Sequence, residues 1–226
     1  MATVYIYNNQ TNWIETYYLG EESAMPYAGP TLKVKEFRGA SRATVLYSDR
    51  RFMETWRNFR AYYGRPISVG YAFKRIWEGG HAAQSQHYAG GSFDAGQNLT
   101  AAGRNTLRNS AVSFGGWSYV EPASLTPTWV HFDRRLTPPA CSTGGFPLVR
   151  QGSRGVYVFI MQDALNALGY TGGGFDGMFG GNTRAALIRY QRANGLSQDG
   201  VCGCNTWRRL TSQAVGIGRT ATVAAP

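Results

Sequence analysis

Two short segments constrain this chain most: Ser85-Gln86-His87-Tyr88-Ala89-Gly90-Gly91-Ser92-Phe93-Asp94 and Trp129-Val130-His131-Phe132-Asp133. Only three histidines occur in 226 residues, and two of them lie here. Two neutral imidazoles and a carboxylate make a three-ligand zinc site with one position left open for water, the arrangement of catalytic rather than structural zinc. A fold that uses this chemistry must bring His87, Asp94 and His131 together. Gly90 and Gly91 allow a tight turn between the first two. Val130 and Phe132 alternate around His131 as on a strand, which puts His131 and Asp133 on one face.

The remaining patterning predicts an α+β chain. Asp49 can cap a helix reaching Gly64, with Phe52, Trp56, Phe59 and Tyr63 on one face and Gly64 and Pro66 as the stop. Pro66 to Phe73 reads as a buried strand. A second helix is expected over Thr100–Val112, then strands over Gly116–Pro122 and Thr128–Asp133. Residues 1–30 read as short strands or an extended arm packed on the domain that begins at residue 31. Pro138-Pro139, Gly144-Gly145 and Pro147 mark a linker.

Beyond the linker lies a repeat. Asp176-Gly-Met-Phe-Gly-Gly-Asn-Thr183 matches Asp199-Gly-Val-Cys-Gly-Cys-Asn-Thr206 at five positions, offset by 23. Each copy reads as a glycine turn followed by an Asn-Thr helix start. Helices are expected near 153–168, 182–194 and 205–214. The segment 148–212 therefore looks self-contained, and the tail at 213–226 is expected to be mobile.

S-x-H-x-x-G-x-x-x-D followed by W-V-H-x-D resembles the zinc D-Ala-D-Ala carboxypeptidase and L,D-endopeptidase family. That family shares its fold with the vancomycin-resistance D,D-dipeptidase and the hedgehog signalling domain. The resemblance covers residues 31–137. It implies an antiparallel sheet with helices, a zinc cofactor on His87, Asp94 and His131, and hydrolysis of amide bonds in peptidoglycan stem peptides. Relatives carry a carboxylate three residues before the last ligand, or a histidine two before it; Thr128 and Trp129 stand there instead. Asp133 and Glu121 are the carboxylates left for proton transfer, against readings as an ion-paired or solvated charge. Relatives also place an arginine after the glycine-tyrosine of the preceding strand, to hold a substrate carboxylate. Ala72 occupies that position, so Arg75 is the candidate, with Ser85 and Gln86 as hydrogen-bonding partners. His81, in a loop, is expected to be exposed.

The C-terminal segment resembles the small three-helix peptidoglycan-binding domain, through Leu148-Val-Arg-Gln-Gly, Leu165-Asn-Ala-Leu-Gly-Tyr170, Phe175-Asp-Gly-Met-Phe-Gly180, Tyr190-Gln191 and Asp199-Gly200. Cys204 stands where that family often has proline. The expectation is a monomer held on the bacterial wall by this domain while the first domain cuts.

Composition excludes other classes. The net charge of +10 suits an anionic wall or nucleic acid. No helix-turn-helix, zinc-finger or RNA-binding signature supports nucleic acid. No apolar run is long enough for membrane insertion. The N-terminus lacks a basic segment and an apolar core and does not read as a secretory signal, so synthesis in the cytoplasm is expected, with a phage-lysis or sporulation role open. Three cysteines without C-x-x-C argue against a thiolate zinc site. A bridge from Cys141 to Cys202 or Cys204 and three reduced thiols both fit. The alternative to an enzyme is a non-catalytic wall-binding or spore-coat protein with a vestigial zinc site.

Overall fold

The computed structural model describes residues 1–218. Two sheets and six α-helices make up this part of the chain. Strands β1 (Ala2–Asn8) and β2 (Trp13–Leu19) form an antiparallel hairpin. Strand β3 (Val45–Asp49) then pairs with β1 in parallel, giving the order β2-β1-β3. Ala2, Val4 and Ile6 point to the buried side of β1 in period-2 alternation. Residues 1–30 are thus no appendage: they supply the central strand of a sheet that residues 45–49 complete.

Between these strands runs α1 (Val34–Arg38). Helix α2 (Arg50–Tyr63) starts at Asp49, whose side chain accepts from the Arg51 N–H, and ends at Gly64 in the left-handed conformation. These are the expected cap and stop. Its buried face, Phe52, Trp56 and Phe59, packs against Phe93, Trp117 and Phe132 at ring separations of 4.3–6.0 Å. Those rings belong to, or lie beside, the second sheet.

The second sheet is antiparallel, in the order β4-β5-β7-β6. Its strands are β4 (Val69–Tyr71), β5 (Ser92–Ala95), β6 (Tyr119–Val120) and β7 (Val130–Asp133). The strand expected over 66–73 shrinks to three residues, because β5 offers it only a short, bulged edge. Helix α3 (Ala101–Phe114), capped by Thr100, covers the sheet. Arg108 on α3 clamps the β6–β7 connection by donating to the carbonyls of Glu121, Thr126 and Trp129.

The C-terminal part holds α4 (Val156–Ala167), α5 (Gly181–Ala193) and α6 (Cys204–Ile217). The repeat is built on two buried glutamines. Gln162 on α4 donates to Asp176 Oδ1 (2.8 Å) and accepts from the Gly177 N–H (2.9 Å). Gln191 on α5 donates to Asp199 Oδ1 (2.9 Å) and accepts from the Gly200 N–H (3.0 Å). Each amide satisfies turn groups that burial would otherwise leave unpaired.

This part does not hang on a free linker. Phe159 of α4 stacks between Tyr5 (5.3 Å) and Tyr47 (5.0 Å) of the first sheet. Phe146, inside the stretch read as a linker, is fully buried against Tyr157 and Trp207. Cys141 in the same stretch is disulfide-bonded to Cys204, while Cys202 is free and buried. One hydrophobic cluster runs through both halves. Of the tail expected to be mobile, α6 takes in residues up to Ile217, and residues 219–226 lie outside the described residues.

Candidate functional site

Strand pairing assembles the site. Asp94 on β5 lies opposite His131 on β7, and Tyr71 on β4 lies opposite Asp94. The β6–β7 register runs Tyr119 to Asp133 and Val120 to Phe132. One further step sets Glu121 against His131, and the Glu121 N–H donates to the His131 carbonyl at 2.9 Å. Directly opposed residues share a face, so Asp94, His131 and Glu121 form one row across three strands.

His87 comes from outside the sheet, on a short 3-10 helix, Gln86–Ala89, capped by the Ser85 side chain. Gly90 closes that helix with φ 58°, and a Cβ there would lie 2.2 Å from the Tyr47 carbonyl oxygen. Only glycine meets both demands. The chain then turns into β5, which delivers Asp94.

The result is a compact donor set. One ligand atom each from His87, Asp94 and His131 lie within 4.8 Å of one another. His87 Nε2 is 3.3 Å from Asp94 Oδ2, and His131 Nδ1 is 2.7 Å from Asp94 Oδ1. The outer nitrogens are engaged elsewhere: His87 Nδ1 with the Ala72 carbonyl (3.0 Å), His131 Nε2 with Asp133 Oδ2 (3.3 Å). Such outer bonds fix ring orientation and turn the other nitrogen inward. Two nitrogens and a carboxylate oxygen suit zinc, so the residues present fit the ion.

The electrostatics agree with this wiring. Burial opposes charge on His131, yet its bonds to Asp133 and Asp94 outweigh that and raise it to about 9. Burial likewise opposes ionisation of Asp94, but hydrogen bonds from His131 and His87 hold its carboxyl far below the usual range. Asp133 is fully buried and bonded to the Arg135 guanidinium through Nε (2.8 Å) and Nη2. Burial works against its charge as well, and Arg135 and His131 overcome it, lowering its pKa.

A cavity of about 330 Å³ opens beside these groups, and Glu121, Trp129, Ser85, Gln86 and Arg135 contribute to its wall. Gln86 accepts from the Tyr157 hydroxyl of α4 (2.9 Å), so the C-terminal part braces the site directly. Arg75 does not reach the cavity. It is buried, and its Nε and Nη2 bond both oxygens of Asp163 at 2.7 and 2.6 Å, with Phe175 stacked on it. The expectation that Arg75 contacts substrate is corrected: its partner lies 88 residues away on α4, out of view of local sequence. Arg135 is the arginine of the cavity wall.

His81 is also corrected. It is half-buried, 4.6 Å from both the His87 and Tyr71 rings, and lines the cavity. Burial, then the neighbouring His87 and Lys74, push it down to about 4. Strand β5, which orients Asp94, leaves little trace in the sequence because Gly90-Gly91 masks its start.

Comparison with known proteins bears on the C-terminal part. Residues 154–210 match the family described as "Putative peptidoglycan binding domain". The chain belongs to that family through this domain. It is 37% identical over 83 residues to an uncharacterized protein in the bpoA1 3'region of Kitasatospora aureofaciens, covering 34% of this chain and 70% of the relative. It is 47% identical over 53 residues to the N-acetylmuramoyl-L-alanine amidase CwlM of Mycobacterium tuberculosis, covering 24% of this chain but only 13% of the amidase. Among solved structures, a peptidoglycan-binding protein from Clostridioides difficile in complex with glutamine hydroxamate is 37% identical, covers 30% of this chain and 42% of its own, and has a TM-score of 0.29. The SleB N-terminal domain is 33% identical, with 30% and 92% coverage and a TM-score of 0.29.

Proposed function

We propose that this chain is a zinc-dependent peptidase that cuts amide bonds in peptidoglycan stem peptides while its C-terminal domain binds the wall. The observation that carries the reading is the convergence of His87, Asp94 and His131 within 4.8 Å on the wall of a cavity, in a chain that also carries a peptidoglycan-binding domain. The catalytic half then takes the fold of the D-Ala-D-Ala peptidases. Peptidoglycan is the partner, and the place of action is the bacterial wall.

His87, Asp94 and His131 would hold the ion. Bound there, zinc would supply Lewis acidity for a water, whose pKa it brings to about 7, and for the scissile carbonyl. The protein's own groups do the rest. Glu121, across from His131, takes the proton of the attacking water and returns it to the leaving amine. Asp133 fixes the His131 ring through Nε2 and is itself fixed by Arg135. Arg135 also lines the cavity, its guanidinium 4.3 Å from the Tyr119 ring centre. A guanidinium so held suits a substrate carboxylate.

Mass spectrometry of purified peptidoglycan after incubation tests this. New stem-peptide ends should appear with the parent and vanish with chelator or with His87→Ala, while the wall still sediments the variant. Unchanged wall with zinc-loaded parent would instead leave a binding protein without catalysis. A release of whole stem peptides from muramic acid would assign amidase chemistry.

A further inference from the structure

The repeat builds more than two similar turns. It builds two similar clefts. The larger, about 610 Å³, lies on the 172–183 turn, and the second, about 400 Å³, on the 195–206 turn. Nine wall positions correspond at the offset of 23, among them Asp176 with Asp199, Gly180 with Gly203 and Asn182 with Asn205, while Arg154 lines the first cleft alone and Leu148 the second. The backbone repeats too. Gly180 has φ −89° and ψ −172°, Gly203 has φ −92° and ψ −168°. Gln162 and Gln191 hold the two turns by the same bonds.

The exposed chemistry is also shared. Asn182 and Asn205 are solvent-exposed, and neither amide makes a hydrogen bond among the described residues. Each offers a carbonyl and an NH₂ group, next to Gly172 and Gly180 in the first cleft and to Gly195 and Gly203 in the second, where a flat group can approach the backbone closely. This suits an uncharged amide on the ligand better than an anion.

We infer that the two clefts are paired subsites that hold successive amide-bearing repeat units of one peptidoglycan strand. This rests on the reading of the C-terminal domain as wall-binding and adds where and in what stoichiometry it binds. Two weak subsites on one rigid body reinforce each other when the ligand is a repeating polymer, because the second contact is intramolecular. The amide can be the N-acetyl group of a sugar or a peptide bond of the stem, and both occur once or more per repeat.

The glycines supply a test with little structural cost. A Cβ at Gly180 or at Gly203 meets nothing within 4 Å, and both residues have ordinary negative φ. A side chain can therefore be added at either lining position without a clash at Cβ, and tryptophan is the bulkiest probe of each cleft. Sedimentation of the full chain with purified insoluble peptidoglycan gives Kd for the parent, Gly180→Trp, Gly203→Trp and the double variant. Each single change should weaken binding by about tenfold or more, and the double change should bring it to background. Asn182→Ala and Asn205→Ala serve as milder versions should a tryptophan variant melt early. Soluble glycan strands stripped of peptide, and free stem peptides, then show which amide binds. The fragment that competes should gain affinity with repeat number for the parent and not for either single variant. Parent-like binding by either single variant, or equal affinity for one repeat and for many, overturns the paired subsites. A parent that does not sediment with the wall sinks the wall-binding reading itself.

Discussion

Asp133 bonds two cationic partners at once, His131 Nε2 on one side and Arg135 on the other. That position separates it from Glu121, which faces the cavity with its carboxylate outside any hydrogen bond among the described residues. Asp133→Asn should weaken zinc binding by about 10–100-fold, read by competition with a chromophoric chelator. Glu121→Gln should keep the metal and lose about 10²–10⁴-fold in turnover. The reverse pattern would exchange the two roles. His131 carries a separate expectation in the metal-free chain. Its folded pKa, about 9, lies above the ordinary 6.5. The stabilisation is therefore complete below pH 6.5 and is lost as pH rises through 9. Melting temperatures of the metal-free parent should fall across that window, and those of His131→Asn should be flatter. At this scale the sequence is informative where chemistry is local. The trio of His87, Asp94 and His131, and Glu121 as a strand-end acid, can be named from spacing. Arg75 cannot be placed that way, because Asp163 reaches it only through tertiary packing.

Among elements, β3 and the burial of α4 are the least legible in the sequence, for one shared reason, although α4 itself falls inside the helix expected near 153–168. Val45-Leu-Tyr-Ser-Asp49 is buried at every position because β1 flanks it and α4 covers it. A five-residue run has no period to reveal that. Helix α4 is likewise buried along most of its length, so its pattern is not that of a one-sided helix. By contrast α2 and α3 are legible to within two residues, since their caps are local. Phe159→Ala tests the role of α4. It removes a ring stacked on Tyr5 and Tyr47, and should cost about 3–5 kcal/mol, measured by urea unfolding. Because the ring serves both halves, tryptophan fluorescence and far-UV circular dichroism should shift together. Separate transitions would mean the halves are coupled less tightly than their packing implies.

For the whole molecule, the family match covers residues 154–210, and that segment shares one hydrophobic cluster with the rest of the chain. The segment 148–212 looks able to fold alone, yet it leaves behind the partners of Phe159, Asp163 and Tyr157 when excised. Its sequence signal comes from the glutamine-turn repeat, which is local; the docking surface has no such signature. The disulfide adds a second tie. Cys141 and Cys204 close a loop of 63 residues, worth about 4 kcal/mol against the unfolded chain in a loop-entropy account. Reduction should lower stability by up to that amount in a thermal scan with and without reductant. Cys141→Ser with Cys204→Ser should reproduce the reduced curve, and an unchanged curve would leave the bridge without weight.

The place of Tyr5 has a consequence for how the chain is made. Its strand leaves the ribosome well before the ring that covers it, since Phe159 is translated some 150 residues later. At 5–20 residues per second the delay is roughly 8–30 s. For that interval one face of the nascent sheet stands open to water and to anything that binds apolar strands. Growing chains arrested before and after α4 should therefore differ sharply in capture by a holdase chaperone, the earlier arrest being held and the later one released.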